Sequence, residues 1–105
     1  MLFEALKSAE IPSQGSRSVS LGGKRILLIR SSSGLFALED KCPHQERTLE
    51  GGAVKGHSIE CPWHSVKIEI ATGKVLYDMG FLGLPDVKVF PVHEKDGKIF
   101  VDLPQ

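Results

Sequence analysis

Two short segments of this 105-residue chain each pair a cysteine with a histidine: Cys42-Pro43-His44 and Cys61-Pro62-Trp63-His64, with sixteen residues between the pairs. Thiolate and imidazole are ligands for soft and borderline metals, so matched pairs of them constrain the fold more than any other feature. The order Cys-then-His repeats, whereas a zinc finger runs Cys, Cys, His, His. Such a repeat suits two metals: with both cysteines on one iron and both histidines on the other, each segment spans a two-iron centre.

Two other readings of the same residues stay open on spacing alone. A mononuclear zinc site needs all four groups on one ion, and the single residue between Cys42 and His44 is tighter than the usual two to four. A Cys42–Cys61 disulfide accounts for the cysteines but leaves the matched histidines unexplained. His57, in a Lys-Gly-His turn, and His93, near a strand end, lack ligand spacing and read as surface histidines.

Together with Leu49-Glu50-Gly51-Gly52 and Ala71-Thr72-Gly73-Lys74, the two pairs resemble the Rieske 2Fe-2S ferredoxin family, as found in bacterial aromatic-ring-hydroxylating dioxygenase systems. The resemblance runs from about Gly15 to Leu103. It implies an all-β Rieske fold of stacked antiparallel sheets, with a cluster-binding subdomain of two ligand loops and a covering Pro loop. It also implies one Rieske-type 2Fe-2S cluster held by Cys42, His44, Cys61 and His64, within a single domain over 1–105 whose cluster-binding part covers about 40–85. Gly80-Phe81-Leu82-Gly83-Leu84-Pro85 resembles the loop that covers the cluster and excludes water. In the family the histidine edge faces solvent, which makes His44 and His64 the exit route for the electron. Pro43 and Pro62 fix φ and lack an N–H, so donors to the cysteine sulfurs are expected from further along each loop.

Departures from the family pattern are informative. Ser65 and Ile68 stand where Gly and Phe are expected, and Arg47 and Trp63 where respiratory Rieske proteins carry a loop disulfide. Val66 and Ile68 occupy positions where those proteins place Ser and Tyr hydroxyls aimed at sulfur, and neither side chain donates a hydrogen bond. Fewer donors leave more charge on the cluster and lower its potential, so a low-potential ferredoxin is expected.

Composition narrows the partners. Thirteen basic and thirteen acidic residues cancel, so no global field favours nucleic acid or an anionic membrane. The N-terminal Met1 to Lys7 has no basic n-region, and no stretch approaches the ~18 apolar residues of a membrane span. A soluble, cytoplasmic chain with no membrane association is expected. No nucleophile with its base, phosphate loop, or flavin or nicotinamide fingerprint is present.

Short β-branched runs between Gly-rich turns argue for strands throughout. Ser18 to Leu21 and Arg25 to Ile29 flank Gly22-Gly23-Lys24; Leu35 to Leu38 leads into the first pair; Ala53-Val54 and Ser58 to Glu60 flank Lys55-Gly56-His57 and deliver the second. Val66 to Ile70 alternates, turns at Ala71 to Lys74 and returns as Val75-Leu76; Val87 to Val92 pairs with Lys98 to Val101 across Lys95-Asp96-Gly97. Both ligand loops are thus expected at equivalent ends of adjacent hairpins. Residues Phe3 to Glu10 are ambiguous, and the resemblance favours a strand and a turn before Pro12.

The resemblance implies an electron carrier and not an enzyme: a monomer taking single electrons from a flavin-dependent ferredoxin reductase to the terminal oxygenase of a Rieske-type ring-hydroxylating dioxygenase. Pro43, Trp63 and Pro85 would form an apolar docking rim around the two histidines, with Glu46 and Arg47 adding orientation. The alternative is the small subunit of an assimilatory NAD(P)H nitrite reductase, and a third reading is a zinc-bound interaction module.

Overall fold

The computed structural model describes residues 1–43, 47–62, 66–78, 80 and 83–104. Its eleven described strands form three antiparallel sheets. The middle sheet is ordered β2-β3-β4-β9, from β2 (Gly15–Leu21), β3 (Lys24–Ser31), β4 (Gly34–Glu39) and β9 (Val89–Phe90). A three-stranded sheet, β1-β11-β10, uses β1 (Leu2–Lys7), β10 (Val92–Lys95) and β11 (Lys98–Asp102). The third sheet is β5-β6-β7-β8, from β5 (Ala53–Lys55), β6 (Ser58–Glu60), β7 (Lys67–Glu69) and β8 (Val75–Tyr77).

Strand β3 explains the layering. Its run Ile26-Leu27-Leu28-Ile29 is fully buried, and because side chains alternate across a strand, both faces must be covered. Ile26 and Leu28 pack with Ala37, Ile99 and Val101, toward the three-stranded sheet. Leu27 and Ile29 pack with Leu38, Ile59, Ile68 and both cysteines, toward the third sheet. The second of these cores is the floor of the ligand loops.

The hairpins follow their turn residues. Leu21 pairs with Lys24 across Gly22-Gly23, both at positive φ (56° and 80°), the requirement of a two-residue type I′ turn. Residues Ala53 to Glu60 and Val66 to Leu76 pair as the sequence suggests, and β1 is followed by one 3-10 turn, Ser8–Glu10.

Two expectations need correction. The stretch Val87 to Val92 is not one strand: β9 joins β4 of the middle sheet, and β10 joins β11. Pro91, which has no N–H for a ladder, sits at the transfer between sheets, and its carbonyl accepts from the Asp102 amide at 2.9 Å. The ligand loops also do not close adjacent hairpins. The second joins the paired strands β6 and β7, but the first crosses from β4 in the middle sheet to β5 in the third.

Candidate metal centre

The two loops differ in topology yet close in the same way. Cys42 donates its backbone N–H to the carbonyl of Arg47 at 2.9 Å, and Cys61 donates to the carbonyl of Val66, also at 2.9 Å. Each bond spans five positions, so the loop from each cysteine returns over the same length of chain. The second loop is held by its hairpin stem, β6 and β7. The first has no such stem, and a buried carboxylate supplies the closure instead. Asp40 accepts the Leu49 amide on Oδ1 at 2.7 Å; on Oδ2 it accepts the hydroxyls of Ser18 (2.6 Å) and Thr48 (2.7 Å) and Nη2 of Arg25 (3.2 Å).

Further bonds seat the exit of the first loop against the outer edge of β2. The Ser18 amide donates to Glu50 at 2.6 Å, and Gly51 donates to the Ser16 hydroxyl at 3.4 Å. Gly52 then passes so close to β6 that a Cβ there would overlap the carbonyl oxygen of Glu60, next to Cys61. This contact, together with Leu49 in the shared core, ties the two loops to each other.

Both cysteines are buried, at 1% and 3% exposure, and they are not joined in a disulfide. They share one core with Leu49, Val66 and Ile68, each of the three fully buried. Their amides are committed to Arg47 and Val66, and Pro43 and Pro62 carry none, so donors to the sulfurs have to come from elsewhere. Two thiols held in matched loops over an apolar floor fit the sulfur half of a two-iron centre. The histidine half, His44 and His64, lies outside the described residues, as do Trp63, Glu46 and Ser65. Among the described residues, no group of three or more His, Cys, Asp or Glu side chains converges as a metal site.

The remaining sequence-derived residues are placed as follows. His57 is exposed, and its Nδ1 lies 3.0 Å from the Ser33 hydroxyl; His93 is exposed on β10. Pro43 and Pro85 line one concavity with Glu39, Lys41, Asp86, Val87 and Lys88. Arg47 is exposed. Of the expected covering loop, Phe81 and Leu82 lie outside the described residues, and Leu84 packs against the cysteine-bearing core. The segment after it is anchored by Val75 donating to Asp86 at 3.1 Å.

The Asp40 network was not read from the sequence. An aspartate two positions before Cys42 is one visible signal. Its partners Ser18 and Arg25 lie 22 and 15 positions away, and nothing local marks them.

A layered β fold carrying paired thiols in equally closed loops defines a small domain built to hold a metal centre. Residues 1–91 match the Rieske [2Fe-2S] domain, and the chain belongs to that family, with a 2Fe-2S cluster of the Rieske type as its cofactor. The chain is 26% identical over 101 residues to the ferredoxin component of the naphthalene 1,2-dioxygenase system of Pseudomonas aeruginosa, covering 96% of this chain and 94% of that one. It is 33% identical over 85 residues to human apoptosis-inducing factor 3, covering 81% of this chain but only 14% of that protein's length. Sphingomonas yanoikuyae B1 ferredoxin shares the fold, with a TM-score of 0.86 at 24% identity over 99% of this chain and 100% of that one. A chain from the complex of reduced oxygenase and oxidised ferredoxin in carbazole 1,9a-dioxygenase superposes with a TM-score of 0.81 at 25% identity, covering 95% and 91%.

Proposed function

We propose that this chain is an electron-transfer ferredoxin that carries single electrons from a flavin-dependent ferredoxin reductase to the terminal oxygenase of a Rieske-type ring-hydroxylating dioxygenase. The observation that carries the reading is similarity along nearly the whole of both chains to a dioxygenase ferredoxin component. A solved ferredoxin–oxygenase complex containing a chain of this fold supports the oxygenase as partner. Cys42, His44, Cys61 and His64 hold the cluster, in one domain over 1–105 whose cluster-binding part covers about 40–85. When bound, the cluster accepts and returns one electron at a time.

The protein's own residues supply the rest. Val66, Ile68 and Leu49 keep water from the cysteine side, while the Pro43–Pro85 concavity, lined also by Glu39, Lys41, Asp86 and Lys88, offers a partner a mostly charged seat next to Cys42 in the chain. Leu76 and Tyr77 on β8, 51% and 53% exposed, extend apolar surface along the strand that leads toward the covering loop. A carrier docks briefly, so its contacts bury less than about 1,200 Å² in total. Among the described residues, no helix is long and apolar enough to cross a membrane. The proposed carrier is a monomer working in the cytoplasm.

Reconstitution tests the reading. The loaded chain, mixed with a flavin reductase and a ring-hydroxylating oxygenase, restores NAD(P)H-dependent hydroxylation, and charge reversal at Arg47 slows transfer with an unchanged spectrum. Fixed-ratio copurification with a siroheme nitrite reductase, with no support of any oxygenase, would instead make the chain that enzyme's small subunit.

A further inference from the structure

We infer that Asp40 is a positioning residue for the first ligand loop, and that its buried charge, offset in part by Arg25, holds the reduction potential of the bound cluster down. The inference rests on the assignment of Cys42 as a ligand.

Geometry supports the positioning role. Two rings of hydrogen bonding enclose the first loop: the inner from the Cys42 amide to Arg47, the outer from Leu49 to Asp40. Asp40 also reaches Ser18 on β2 and Arg25 on β3, so one carboxylate fastens both stems of the loop to the middle sheet. The Arg25 carbonyl accepts the Asp40 amide at 3.0 Å, which registers the backbone at the same place. In the second loop, a β-hairpin stem performs this task.

Charge follows from burial. The Asp40 side chain is 0% exposed, whereas Arg25 is 54% exposed and its charge is shared with water. The pair therefore leaves a residual negative field on the protein side of the loop. Only Lys41 separates Asp40 from Cys42, so their Cα atoms are at most about 7 Å apart. A negative group that close, in an interior of low dielectric, opposes the arrival of an electron. Val66 and Ile68 lower the potential by withholding donors, and Asp40 lowers it by charge.

The test compares Asp40→Asn and Arg25→Gln in the cluster-loaded protein, measuring iron and sulfide per chain and the midpoint potential at one fixed pH. Asp40→Asn keeps the shape and removes the charge, so the potential shifts positive. Arg25→Gln removes the partial neutralisation at an exposed side chain, so it shifts negative. Opposite shifts at full iron content support the inference; unmoved potentials, or shifts of the same sign, overturn it. Should Asp40→Asn lose iron, Arg25→Gln decides alone: a negative shift supports the charge, and no shift or a positive one overturns it. Wild-type protein without two irons per chain defeats the ligand assignment itself, which separates that failure from this one.

Discussion

Val87 donates its backbone N–H to the carbonyl of Gly73 at 2.8 Å, and a Cβ on Gly73 would overlap the Val87 carbonyl oxygen. Gly73 also has φ of +76°, a region that disfavours side chains. The turn after β7 and the segment following the covering loop are thereby locked together.

Gly73→Ala therefore combines backbone strain with a collision against main chain. We expect a loss of roughly 2–4 kcal/mol, seen as a drop in melting temperature of about ten degrees or more. Gly97→Ala, which meets no atom within 4 Å but has φ of +75°, is the control and carries only the backbone cost. Equal losses from the two substitutions would show that the contact with Val87 contributes nothing.

The four histidines divide into two pairs. His44→Ala and His64→Ala are expected to abolish or alter the cluster's visible spectrum. His57→Ala loses one exposed bond to Ser33, and His93→Ala changes an exposed position on β10, so both keep about two irons and two acid-labile sulfides per chain. Zinc as the principal metal, or four equivalent phenotypes, would contradict this division.

The potential is expected near the low end of the Rieske range, about −150 mV. Val66 and Ile68 are fully buried in the core that holds both cysteines, so a hydroxyl introduced there is shielded from water within that core. Val66→Ser should raise the potential while costing about 1–3 kcal/mol of stability through lost apolar burial. Ile68→Tyr should act in the same direction if the larger side chain is accommodated. A clearly positive wild-type midpoint in a redox titration would refute the argument.

Removal of the metal is expected to act unevenly. One core contains both cysteines, together with β6 and β7; the other, from Ile11 to Leu103, contains neither. Chelation should therefore lower the melting temperature and accelerate amide exchange in β5 to β8. Strands β2 and β11, which contribute to the second core, should keep more of their protection. Identical melting of loaded and metal-free chains would count against cluster-dependent folding.

Most of the strands were legible because their signals are local. Gly22-Gly23 and Asp96-Gly97 supply the positive φ values their turns require, and Val66, Ile68 and Ile70 alternate with exposed or half-buried neighbours. The paired thiols were legible for the same reason, since ligand chemistry is written in residue type and spacing. Pro91 carried a signal too, but a break in a strand does not say which sheet each half will join.

What the sequence alone determined is the chemistry: two cysteines and two histidines in repeating order, and the β-rich pattern that carries them. Tertiary structure decided how the loops are held. The first crosses between sheets and is fastened by Asp40 to Ser18 and Arg25, and Gly52 and Gly73 set close approaches to Glu60 and Val87. These relationships join residues distant in the chain, and their strength comes from burial that exists only once the three sheets have stacked. A carboxylate in water is ordinary; enclosed at the base of a ligand loop with four donors, it fixes geometry and charge together.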